Sequence, residues 1–86
     1  MTAPVRVLFF AGLRERLGVG SEDVVLADGV ATLGGLRAQL AARGGVWAAA
    51  LGEARLRMAV NQDLADAGAP VRPGDEVAFF PPVTGG

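Results

Sequence analysis

Near both ends of the chain stand short apolar runs, VRVLFFA and EVAFF, each with a single charged residue, and such runs mark strands. Residues 5–11 (VRVLFFA) are β-branched and aromatic, bounded by Pro4 and Gly12, and read as a first strand. The two-residue period of a strand puts Val5, Val7 and Phe9 on one face and Arg6, Leu8 and Phe10 on the other. Leu13 and Leu17, four apart within residues 12–18, predict a short helix closed by Gly18. A second strand is expected over residues 22–27 (EDVVLA). Asp28-Gly29 then marks a turn, and Thr32 stands in an N-cap position ahead of Leu33, Leu36 and Leu40. This spacing predicts the main helix over residues 33–43. Gly34 and Gly35 weaken it by roughly 1 kcal/mol each relative to alanine, so tertiary packing must hold its first turn. Residues 46–51 (VWAAAL) predict another helical scrap, stopped by Gly52.

Residues 55–60 (RLRMAV) alternate cleanly, with Leu56, Met58 and Val60 inward and Arg55 and Arg57 outward. Asn61-Gln62-Asp63 reads as a turn. Residues 64–71 contain Gly68 and Pro70, so any strand there is short and irregular. Arg72-Pro73-Gly74-Asp75 is a strong turn signal, with Pro then Gly at its centre. Residues 76–80 form the last predicted strand, with Val77 and Phe79 on one face and Glu76, Ala78 and Phe80 on the other. The fold class is therefore α+β. A hairpin, a helix crossing one face and two further strands make a β-grasp arrangement with a mixed sheet, its first and last strands adjacent and parallel. An all-α fold conflicts with the period-two segments, and a doubly wound fold with the presence of one full-length helix. The domain is expected over residues 1–80, with an extended tail over 81–86.

Composition narrows the chemistry. The 86 residues carry eight Arg, no Lys and nine Asp plus Glu, a net charge of −1. This near-balance gives no basic stripe for a phosphate backbone, so nucleic acid is not an expected partner. Cys, His and Tyr are all absent, which removes disulfides, thiolate or imidazole metal sites, and Cys or His catalysis. Asp and Glu are the only side-chain proton acceptors left near neutral pH. Asp63, Asp66, Asp75 and Glu76 have no calcium-loop spacing, and the glycine pairs at 34–35 and 44–45 lack the Lys and preceding strand of a phosphate cradle. The composition predicts a protein that carries, binds or assembles. No run approaches the roughly 20 apolar residues of a membrane span, and the start lacks the layout of a signal peptide. The expected location is the cytoplasm.

The ending is the most informative segment. After Phe80 the chain runs Pro81-Pro82-Val83-Thr84-Gly85-Gly86. Two prolines cannot donate ladder hydrogen bonds, so the sheet is expected to stop and the tail to leave it extended. Thr84, Gly85 and Gly86 make a thin terminus tipped by an α-carboxylate. Such a tail can thread a narrow tunnel into another protein, because glycine has no Cβ to clash with the walls. With nothing following Gly86, no trimming is expected to be needed to expose it.

VRVLFFAGLRERLG at the start, MAVNQDLA in the middle and above all GDEVAFFPPVTGG at the end resemble the small subunits of molybdopterin synthase, the MoaD family of sulfur carriers. The resemblance spans nearly the whole chain and implies a ubiquitin-like β-grasp fold. It further implies that a ubiquitin-activating-like adenylyltransferase adenylates Gly86, consuming ATP, and that sulfur replaces the adenylate to leave a thiocarboxylate. In a heterotetrameric complex with the large synthase subunit, that group would deliver sulfur to cyclic pyranopterin monophosphate. Two transfers make the dithiolene of molybdopterin. The chain itself would bind no cofactor and would be the non-catalytic subunit, with catalytic side chains on the large subunit. Acyl activation and a soft sulfur nucleophile at a terminus need no Cys in this chain.

Phe80, Phe10, Leu64 and Leu8 are the expected partner interface. They fall on one predicted sheet face with Arg6 and Glu76, and an exposed apolar patch rimmed by charge marks an interaction surface. In the resembled family the matching positions contact the large subunit and the activating enzyme. A two-sided core that simply buries the two Phe rings is the alternative. Arg55 and Arg57 read either as solvated charges or as contacts to an acidic partner. Rival functions are a thiocarboxylate carrier for thiamine, cysteine or tRNA thiolation, a ubiquitin-like protein modifier, and an interaction module with an inert tail.

Overall fold

The computed structural model describes residues 3–82. The β-branched and aromatic segments from the two ends of the chain pair in the middle of one mixed sheet, ordered β2-β1-β5-β3-β4. In chain order the elements are β1 (Val5–Phe9), α1 (Ala11–Leu17), β2 (Ser21–Val24), α2 (Leu33–Ala41), α3 (Gly45–Leu51), β3 (Arg57–Val60), β4 (Asp63–Ala65) and β5 (Glu76–Phe80). β1 and β5 run parallel with Phe9 opposite Phe79, while β1–β2, β3–β4 and β3–β5 are antiparallel. This is the β-grasp arrangement expected from the sequence.

The inward phase of each central strand meets the helices. Val5, Val7, Phe9, Met58, Val77 and Phe79 pack with Leu13, Leu33, Leu36, Leu40 and Leu51 in one core. Phe9 stacks on Phe79 with centroids 6.2 Å apart and meets the edge of Trp47 at 5.6 Å. Trp47 thus anchors α3 to the sheet, and the Arg43 guanidinium covers its ring at 4.4 Å. Arg43 also forms a two-pronged ion pair with Glu22, tying the end of α2 to β2. That hydrogen bond holds the Glu22 carboxyl below the usual carboxylate range, against a smaller opposing effect of burial.

Several element boundaries differ from the sequence expectation. The first strand stops at Phe9, because Ala11 turns to φ 52° and opens α1, which leaves Phe10 as an extended residue between the two. The second strand spans Ser21–Val24 and not residues 22–27. Beyond it, the Gln39 side chain takes over the role of a neighbouring strand, accepting from the Ala27 N–H at 2.9 Å and donating to the Val25 carbonyl at 2.9 Å. The main helix ends at Ala41, two residues before the expected Arg43. The third strand starts at Arg57, so Arg55 belongs to the preceding turn and not to a strand face. Asp63 opens β4 and is not part of the turn, which is Asn61-Gln62 alone. Both turn residues take positive φ, 49° and 72°, as a two-residue hairpin turn of the twisted type demands.

Gly34 has a specific reason to be glycine. Its N–H donates to the Ala67 carbonyl at 2.9 Å, and a Cβ there would lie 3.1 Å from that oxygen and from the Ala67 Cβ. The first turn of α2 is thereby pressed onto the loop at 66–70. Thr32 caps it as predicted, its Oγ1 accepting from the Gly35 N–H at 3.1 Å.

Candidate functional site

The outward phases of the strands build the candidate site. On the face away from the helices, Leu8 of β1, Ala78 of β5, Ala59 of β3 and Leu64 of β4 are successive register partners. Cross-strand partners share a face, so these four form one apolar row running across the sheet. Leu64 is 66% exposed and Leu8 half-buried, and the small Ala59 is closed over by its neighbours. One row nearer the tail, Phe80 is the register partner of Arg57. Phe10 continues the line of β1 beside it, its N–H donating to the Phe79 carbonyl at 3.2 Å, and is 46% exposed. One row in the other direction, Arg6 lies between Glu76 and Asp23 and pairs with Asp23 at 3.7 Å. The expected apolar patch with a charged rim is therefore assembled on this face.

The structure brings Phe10, Phe80, Leu8 and Leu64 to the same face. Phe10 joins it from just beyond β1, whereas the sequence places it within the strand. Arg57 belongs to the rim and Arg55 does not. Ala59 and Ala78, the middle of the apolar row, were not singled out by sequence reasoning. Their signal was the strand phase alone, since alanine carries no pattern of its own in a chain so rich in it.

β5 is the middle strand of the sheet, so the chain leaves from the centre of this face's tail-side end. A type II turn starts that strand: Gly74 takes φ 91° and the Asp75 N–H returns to the Arg72 carbonyl at 3.1 Å. Asn61 locks it to the β3–β4 hairpin, donating to Asp75 Oδ1 at 3.2 Å and accepting from the Glu76 N–H at 3.0 Å. Pro81 and Pro82 follow β5 outside the ladder and are half-buried. Val83, Thr84, Gly85 and Gly86 lie outside the described residues.

Among the described residues no three His, Cys, Asp or Glu side chains are grouped to hold a metal ion, and no helix is long and apolar enough to cross a membrane. No described side chain combines with another into a nucleophile and base. The chemistry this geometry supports is presentation: a broad apolar face for a partner, with Pro81 and Pro82 leaving β5 beside it.

Comparison with known proteins agrees with that architecture. The ThiS family model matches residues 7–86, through the final glycine. The molybdopterin synthase sulfur carrier subunit of Haemophilus influenzae is 48% identical over 82 residues, covering 95% of this chain and 99% of that protein. Among solved structures, SAMP1 of Haloferax volcanii superposes with a TM-score of 0.75 at 31% identity, over 98% of this chain and 100% of that one. A chain of the complex between subunits 1 and 2 of the molybdopterin-converting factor of Helicobacter pylori superposes with a TM-score of 0.66 at 29% identity, over 95% and 97% of the two chains. With a family model spanning nearly its whole length and a carrier subunit 48% identical over 95% of it, the chain belongs to the ThiS family, alongside the molybdopterin synthase sulfur carrier subunits.

Proposed function

We propose that this chain is the sulfur-carrying small subunit of a molybdopterin synthase. The observation that carries this reading is the 48% identity to carrier subunits over 82 residues, 95% of this chain. The family match running through Gly86 supports the terminus as the working group. In this reading the Gly86 carboxylate attacks the α-phosphate of ATP on a ubiquitin-activating-like adenylyltransferase, expelling pyrophosphate. A sulfide equivalent then displaces AMP and leaves the C-terminal thiocarboxylate. The chain binds no cofactor of its own, and ATP is consumed on the activating partner. In the cytoplasm the charged carrier docks its sheet face, with Phe80, Phe10, Leu8 and Leu64, on the large subunit. Pro81, Pro82, Val83, Thr84 and Gly85 lead Gly86 into that subunit's active site, where sulfur passes to cyclic pyranopterin monophosphate. The solved complex of the two Helicobacter pylori subunits, one of them similar to this chain, supports the large-subunit partner.

A second reading, a ubiquitin-like protein modifier, is favoured by the likeness to the small archaeal modifier protein of Haloferax volcanii at 31% identity. It predicts an isopeptide between Gly86 and a target lysine. Reconstitution separates the two. The thiocarboxylated chain plus the large subunit should convert the pyranopterin substrate to molybdopterin, and the carboxylate form should not. Equal inactivity of both forms, with Gly86–lysine conjugates in cell extract, would replace the carrier reading by the modifier one.

A further inference from the structure

A second surface lies around the corner from the sheet face, on the helical side of the tail's root. There, Leu13 of α1, Ala50 of α3, Leu56, Pro81 and Pro82 floor an open groove of about 290 Å³. Leu13, Ala50 and Leu56 are buried core residues that also line this groove. Gly12 leaves the groove open at one side, with nothing within 4 Å of the position a Cβ would take. The rim carries Arg16, Arg55 and Glu53, and among the described residues neither arginine has an ion-pair partner. Arg37 reaches the same end of the molecule but is spent on the carbonyls of Leu51 and Glu53.

We infer that this groove receives an apolar side chain flanked by a carboxylate, carried by the large subunit that takes up the tail. Two observations select that occupant. The groove's floor is completed by Pro81 and Pro82, so a protein that encloses the residues beyond them also covers the groove. The sheet-face patch ends at Phe80, immediately before Pro81, which makes the two surfaces continuous around the sheet's end. The rim has two arginines against one glutamate, and its excess positive charge matches a carboxylate beside the inserted apolar group. The partner thus grips the carrier on both sides of the strand that bears the tail, fixing the direction in which the tail leaves. This inference rests on the carrier reading for the partner's identity.

Calorimetric titration of the full-length chain with the cognate large subunit tests it. Gly12→Leu fills the groove from a helical position with open space around it, so its Tm should equal or exceed that of the unsubstituted chain. Its affinity for the large subunit should fall at least tenfold. Arg55→Glu, at an exposed turn position, should weaken binding several-fold and flatten its dependence on salt. Undiminished affinity of Gly12→Leu overturns the groove as a docking site. If that variant melts early, Arg55→Glu decides, and unchanged affinity there overturns the proposal. Failure of the unsubstituted chain to bind the large subunit overturns the carrier reading itself and the groove with it, an outcome distinct from normal binding by all variants.

Discussion

Glu22 and Arg43 join two elements through a two-pronged contact at the surface, and the contact has a pH signature. The arginine lowers the glutamate's folded-state pKa, so its stabilisation is full above the ordinary carboxylate range and fades as pH falls through the folded value. Glu22→Gln should cost about 0.5 kcal/mol at pH 7, as a partly exposed pair does. Melting curves of the two proteins should converge in strong acid, whereas a difference that persisted there would assign the loss to packing. Phe80 acts at the same scale but outward. Phe80→Ala should weaken binding to the large subunit by about 2 kcal/mol, close to thirtyfold in Kd, as truncating a buried aromatic anchor does. Because Phe80 is only half-buried in the free chain, Tm should change little, and unchanged affinity would remove it from the interface.

Elements explain what the sequence pattern leaves open. The strand phases are legible because Val5, Val7, Phe9, Val77 and Phe79 are large, regular and all buried. Boundaries are less so, since they depend on distant side chains. Gln39 substitutes for a strand beyond Val24, and no local feature of residues 22–27 announces it. Trp47 was visible only as part of an alanine-rich scrap, yet it carries α3 onto Phe9. Gly12 of α1 and Gly34 of α2 differ in the space beside them, and substitution separates them. Gly12→Ala, with open space at its Cβ, should stabilise the chain by about 0.5–1 kcal/mol. Gly34→Ala should forfeit that gain and lower Tm, because its Cβ would press at 3.1 Å on the carbonyl its own N–H binds. Chemical denaturation of both variants checks the contrast, and a stabilised Gly34→Ala would mean that the 66–70 loop yields freely.

For the whole molecule, fold and chemistry are separable. Among the described residues, the core, the ladders and the helix caps are made by residues 5–80, while the proposed reacting group is the carboxylate of Gly86. The shared face of Leu8, Leu64 and Phe80 was legible before the structure because it follows from the outward phase of strands, whereas Val83 to Gly86 of the ending lie outside the described residues. The groove beside Pro81 and Pro82 was not, since it is assembled from α1, α3 and a turn that share no pattern along the chain. Deleting Gly86 should abolish sulfur transfer and leave Tm unchanged, and a large drop in Tm would show the terminus to be part of the fold. Most direct is the intact mass of the chain after incubation with its activating enzyme, ATP and a sulfur donor. The account predicts an increment equal to one oxygen replaced by sulfur, localised to Gly86. An unmodified terminus, with the enzyme shown competent on another carrier, would contradict it.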